Sequence, residues 1–148
     1  DKTSRLIKFM AKAMYQNHGI GLAAIQVGYQ LRMFVMDCSR SQSGYKAYIN
    51  PKIVEKSDET LRDSEGCLSA PGKQGDVRRH IRIILNYKDE EGEEHTKTFY
   101  NLEARCVQHE MDHLEGKLCI DYEKGDYSRD KHKSQTMVES DFRTKSDS

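Results

Sequence analysis

Apolar residues near the start of the chain recur on a helical period. Leu6, Ile7, Met10, Ala11 and Met14 form one stripe, which predicts an amphipathic helix. Asn17-His18-Gly19 should end it, with the glycine as the C-terminal stop. Gly19 to Gly28 carries too much glycine for a stable helix. Leu31 to Met36 is a short apolar run suited to a buried strand, and Ala47-Tyr48-Ile49 and Ile53-Val54 predict two strands around an Asn50-Pro51 turn. Residues 57–64 are polar and predict a loop. Ile81 to Tyr87 and Thr96 to Tyr100 flank Asp89-Glu90-Glu91-Gly92, a hairpin pattern. Asn101 is placed to cap a second helix carrying Leu102, Cys106, Val107, Glu110, His113 and Leu114, which Gly116 ends. Leu118-Cys119-Ile120 suggests a last strand.

From Glu123 onward the periodicity dissolves into Lys, Asp, Ser and Arg, so residues 123–148 predict a loosely held or disordered tail. Residues 1–122 predict a single catalytic domain. Its class is α+β, with mixed or antiparallel sheets around the second helix and another helix at the N-terminus.

Composition narrows the partners. Over 148 residues, 24 basic and 24 acidic side chains cancel, which gives no electrostatic footprint for nucleic acid and no polybasic signal for a membrane surface. No run approaches the roughly 18–20 apolar residues that span a bilayer. The first residues, Asp1-Lys2-Thr3-Ser4-Arg5, hold no apolar leader segment. Cys38, Cys67, Cys106 and Cys119 show no C-x-x-C spacing. Reduced thiols and a cytoplasmic location are expected. Cys38, Cys106 and Cys119 sit in apolar patterns and read as small buried hydrophobes.

His109-Glu110-Met111-Asp112-His113 carries the chemistry. Positions i and i+4 share a helical face, so both imidazoles can meet one metal ion, while Glu110 projects beside it as a proton acceptor and donor. The apolar residues on the same helix predict burial. Burying two imidazoles and a carboxylate without a metal or partners costs on the order of several kcal/mol. A catalytic metal takes about three protein ligands and one open position. The third stays open at this point: Glu115, Glu123 and His132 lie downstream, and Cys67 lies upstream in Glu65-Gly66-Cys67-Leu68-Ser69. A downstream ligand would make a zinc peptidase, and a fourth protein ligand would close a structural site.

Three segments decide between these by resemblance. Gly19-Ile20-Gly21-Leu22-Ala23-Ala24-Ile25-Gln26, Glu65-Gly66-Cys67-Leu68-Ser69 and Gln108-His109-Glu110-Met111-Asp112-His113 resemble, in order, the three signatures of the peptide deformylases, with weaker similarity from about residue 5 to 122. The resemblance implies a hydrolase that removes the N-terminal formyl group from formylmethionyl peptides. It implies Cys67, His109 and His113 as ligands of one divalent ion, Fe(II) with Zn(II) or Ni(II) as substitutes, and Glu110 as acid/base for water attacking the formyl carbon. Gln26 would donate its side-chain amide, and Leu68 its backbone N–H, to the oxyanion. Gly21 would let backbone approach substrate, and Ile20, Leu102 and Cys106 would line a slot for the methionine side chain. Asp112 is expected to orient an imidazole, and Glu65 to pair with Arg79, behind the ligands. A zinc peptidase, or a protein that binds formyl peptides without turnover, are the rival readings. The pattern departs at Gln74, where many relatives carry arginine. The resemblance also allows transient ribosome association, although the tail alternates charge signs and lacks the basic docking helix of bacterial relatives.

Overall fold

The computed structural model describes residues 2–39, 41–42, 44–66 and 74–116. Among these residues two helices and seven strands form an α+β architecture. Helix α1 (Lys2–Gln16) buries Ile7, Met10, Ala11, Ala13 and Met14. His18, not Gly19, takes the left-handed backbone conformation that ends it (φ 57°), and the Gly19 N–H then reaches back to the Met14 carbonyl at 2.9 Å. Histidine tolerates that conformation better than most side chains.

Strand β1 (Gly21–Ala23) leads into a 3₁₀ turn at Ala24–Val27, closed by Gly28 at φ 87°. Then come β2 (Met33–Met36), β3 (Lys46–Lys56), β4 (Thr60–Gly66), β5 (Gln74–His80), β6 (Arg82–Lys88), β7 (Glu94–Tyr100) and helix α2 (Asn101–Leu114). The main sheet is antiparallel in the order β1-β2-β3-β6-β7, and β4-β5 form a separate antiparallel pair.

Alternation explains the two cores. Leu22, Met33 and Val35 point to one face of the sheet and pack with Ile7, Met10 and Met14 of α1. Ala23, Phe34 and Met36 point to the other face and pack with Ala104, Cys106 and Val107 of α2. β2 therefore lies under both helices, and all four of its residues are buried. Its continuous apolar run has this cause. The second core is densely aromatic. Tyr48 stacks on Phe34 with ring centroids 5.0 Å apart and meets Tyr87 edge-on at 4.7 Å.

Several local expectations change. Asn50-Pro51 does not turn the chain; β3 runs through them, with Asn50 at φ 50° and the register against β6 slipping between Ile49 and Lys52. A bulge absorbs the proline, as it can where the ladder is interrupted. Residues 60–64 are strand rather than loop, paired residue for residue with β5. Asn101 does not cap α2 through its side chain. It is itself the left-handed residue (φ 53°) at the corner from β7, and its N–H is held by the Ile81 carbonyl at 2.8 Å. The hairpin of β6 and β7 forms as expected, with Gly92 at φ 85° in its turn. Cys67, Leu68, the strand expected at Leu118-Cys119-Ile120 and the tail from 123 lie outside the described residues.

Candidate metal centre

Helix α2 projects His109 and His113 from one face, their ring centroids 4.9 Å apart and their planes at 70°. The spacing of four residues on a 3.6-residue turn brings the rings together. Ligand atoms of His109, Glu110 and His113 all lie within 4.8 Å of one another, and Glu110 and His113 are buried. Two imidazoles and a carboxylate converging in a buried corner form a donor set that suits a divalent transition ion.

β1 runs against this corner. A Cβ placed at Gly21 would lie 2.6 Å from Glu110 Oε2 and 2.8 Å from Cys106 Sγ. Only glycine lets the strand come so close to the carboxylate. Just beyond β1, the buried Gln26 side chain accepts the Ala23 N–H at 2.9 Å through Oε1. That bond fixes which way round the amide lies. Cys106 Sγ stands 3.8 Å from the Ile20 carbonyl, so the structure brings Ile20 and Cys106 together. Leu102, one turn earlier on α2, is 54% exposed and sits on the rim of a groove with Tyr100 and Cys38.

Behind the imidazoles lies a polar cluster. Glu65 Oε1 meets His109 Nδ1 at 2.8 Å. Arg79 donates to both oxygens of Glu65, at 3.0 and 2.9 Å, and to Asp112 at 2.5 Å. Arg105 donates to Glu65 at 2.5 Å and to the Val77 carbonyl at 3.1 Å. Burial alone pushes the Glu65 carboxyl up, but the His109 and Arg79 hydrogen bonds and the Arg79 charge outweigh it and hold its pKa at about 2. Burial likewise works against the Arg79 charge, and the bonds and charges of Glu65 and Asp112 reverse the balance and raise its pKa. An anionic Glu65 accepts a hydrogen bond from Nδ1–H of His109, so the lone pair of the neutral ring belongs to Nε2.

Two residues here carry little signal in the sequence. Arg105 lies four positions before His109, on the same helical face, and that spacing is its only mark. Gln108 pairs with the backbone of His80 like a strand, accepting its N–H at 3.0 Å and donating to its carbonyl at 2.8 Å, and so ties α2 to β5. Asp89, Glu93 and His95 form a second acidic group, but Asp89 is already engaged by the Glu91 and Glu93 N–H groups and by His95. It organises the hairpin turn.

Residues 1–128 match the family model described as polypeptide deformylase. A peptide deformylase of Chlorobaculum parvum is 45% identical over 138 residues, covering 90% of this chain and 72% of that protein. One from Pseudothermotoga lettingae is 46% identical over 121 residues, covering 82% and 68%. The crystal structure of peptide deformylase from Thermotoga maritima superposes with a TM-score of 0.76 at 42% identity, covering 80% of this chain and 78% of that one. The chain belongs to the peptide deformylase family. It is thereby a metal-dependent hydrolase that removes the N-terminal formyl group from nascent polypeptides. No helix among the described residues is long and apolar enough to cross a membrane.

Proposed function

We propose that His109, His113 and Cys67 hold the deformylase metal ion and that Glu110 is the acid/base of the reaction. The observation that carries this reading is the convergence of the two imidazoles and the Glu110 carboxylate within 4.8 Å, against a strand that only glycine can complete. The ion supplies Lewis acidity, which polarises the formyl carbonyl and makes water acidic near neutral pH. Fe(II) is the proposed native ion, with Zn(II) or Ni(II) as functional substitutes.

The remaining work falls to side chains. Glu110 takes a proton from the attacking water and delivers it to the departing amine, so one amide bond breaks and formate and a free amino terminus appear. Gln26, oriented by the Ala23 N–H, directs its amide nitrogen toward the oxyanion, and the Leu68 N–H is the second donor. Donors of this kind are worth about 2.7–4 kcal/mol each in the transition state. Ile20, Cys106 and the rim residue Leu102 form the slot for the methionine side chain. Glu65, Arg79 and Asp112 fix the His109 ring from behind. In this reading residues 1–122 act as one catalytic unit, in the cytoplasm, on peptides as they are made.

Formate release from a formylmethionyl peptide tests the assignment. Protein loaded with Fe(II) or Ni(II) should release formate, and Glu110→Gln should lose at least about 10²-fold in kcat, the usual contribution of a positioned acid/base. Cys67→Ala should fail to retain the ion on dialysis. Full activity in either variant overturns the role assigned to that residue.

A further inference from the structure

Strand β4 brings no buried apolar side chain with which to hold the rest of the fold. Glu65 is its one buried residue. It pairs only with β5, in a two-stranded sheet of a kind that is marginal on its own. Polar bonds from helix α2 take the place of an apolar anchor, and Arg105 reaches across both strands to make them. Its guanidinium donates to the Leu61 carbonyl on β4 at 2.5 Å, to the Val77 carbonyl on β5 at 3.1 Å and to Glu65 Oε2 at 2.5 Å.

One helix thereby holds both oxygens of the Glu65 carboxylate. His109 takes Oε1, and Arg105, four residues earlier on α2, takes Oε2. Residues four apart on a helix lie side by side, so the two side chains approach Glu65 together. Arg79 also bonds both oxygens and reaches on to Asp112. The two guanidiniums do different work. Arg79 spreads its charge over two carboxylates, whereas Arg105 ties one of them to backbone.

We propose that Arg105 is a positioning residue of the metal centre, which fixes Glu65 against the backbone of the β4–β5 pair and so sets the direction of the His109 ring. The inference rests on the reading of His109 as a ligand. An imidazole can swing about the bonds that join it to the main chain, and the bond at Nδ1 resists that swing. Glu65 can resist it only as firmly as Glu65 is itself held. Anchored by Arg105 to carbonyls of both strands, the carboxylate keeps its place relative to α2, and Nε2 keeps its aim.

Geometry, rather than charge, is what Arg105 contributes. Without it Glu65 still receives two bonds from Arg79 and one from His109, so the carboxylate stays paired. The Leu61 contact lies at the surface, where water can replace the lost donor. What disappears is a planar fork that meets one carboxylate and two carbonyls at once. A lysine keeps the charge at this position but presents a single ammonium in place of the fork. Loss of Arg105 should therefore be felt at the ion more than in the stability of the fold.

The test loads the full chain with cobalt(II), whose visible absorption bands move with the directions of its ligands. Arg105→Lys and Arg105→Met should both bind cobalt more weakly by roughly tenfold or more, the lower end of the cost of losing an outer partner of a ligand. Their bands should be displaced. At saturating metal, kcat should fall while KM for a formylmethionyl peptide stays at the wild-type value. Should Arg105→Met fail to fold, Arg105→Lys carries the same readouts. Wild-type affinity and bands in Arg105→Lys overturn the proposal, since charge alone would then suffice. A raised KM with unchanged bands overturns it too, by placing Arg105 at the substrate. Cobalt held as tightly by His113→Ala as by wild type has a different meaning: the ligand assignment itself fails, and this inference with it.

Discussion

Glu65 holds His109 Nδ1 at 2.8 Å while Arg79 grips the same carboxylate through two nitrogens. The His109 ring is thus oriented by a group that is itself locked on two sides. Glu65→Gln keeps an acceptor for the ring but removes the charge that strengthens its bond to the Nδ1 proton. Metal affinity should fall by about 10–100-fold, the usual cost of losing such a partner. Competition with a chromophoric chelator measures this directly, and an unchanged dissociation constant would remove Glu65 from the site.

Gly21→Ala should be more damaging to rate than to fold. The new methyl group would meet Glu110 Oε2 at 2.6 Å and Cys106 Sγ at 2.8 Å, closer than packed atoms tolerate. Gly21 is not among the glycines with positive φ, so alanine imposes no backbone strain there. The carboxylate must move instead. We expect kcat/KM to drop by about 10²-fold with the melting transition intact. Normal turnover by the alanine variant would show that Glu110 has room to spare.

How much of this is legible from residues alone depends on what each element buries. α1, the β6–β7 hairpin and α2 bury apolar stripes, and their periodicity announces them. β4 resembles a loop in sequence because its only buried residue is Glu65, and the neighbouring positions on β5 that face inward are Gly75, Val77 and Arg79. Its inner face is an ion-pair cluster, and alternation of charged with charged residues leaves no hydrophobic signal. The paired imidazoles are legible for the opposite reason, since a local spacing on one helix suffices. Cys38 shows the remaining limit. Its apolar neighbours Val35 and Met36 suggest a core position, but the strand ends at Met36, and only the fold reveals that the residue lines a surface groove.

The loop after β2 is tied down by Asp37. Its carboxylate accepts the Tyr15 hydroxyl at 2.5 Å, the Ser39 N–H at 2.8 Å and the Gly44 N–H at 3.1 Å. Burial raises the pKa of this carboxyl, but the bonds from Ser39, Tyr15 and Gly44 prevail and lower it from 3.8 to about 2. A folded pKa below the unfolded one stabilises the fold above the ordinary carboxylate range, and that stabilisation disappears as pH falls through about 4 toward 2. Asp37→Asn should therefore melt lower than wild type at pH 7, and the gap should narrow steadily below about pH 4. Melting curves across this range decide it. A gap that is constant with pH would mean that the charge contributes nothing.

Two ion pairs of similar length should differ several-fold in worth. Arg62 Nε lies 2.8 Å from Asp76, with side chains 60% and 50% exposed. Arg79 lies 2.9 Å from Glu65, with side chains 5% and 6% exposed, and also reaches Asp112. Water screens the first pair and already solvates each partner once the other is gone, so Arg62→Met should cost under about 1 kcal/mol. Arg79→Met leaves the Asp112 and Glu65 carboxylates facing a neutral chain, although Arg105 still touches Glu65. Uncompensated buried charge of this kind costs about 3–5 kcal/mol. Urea denaturation of the two variants separates the cases. Equal losses would mean that solvent reaches the Glu65 cluster, and the rigid backing of His109 would then fail with it.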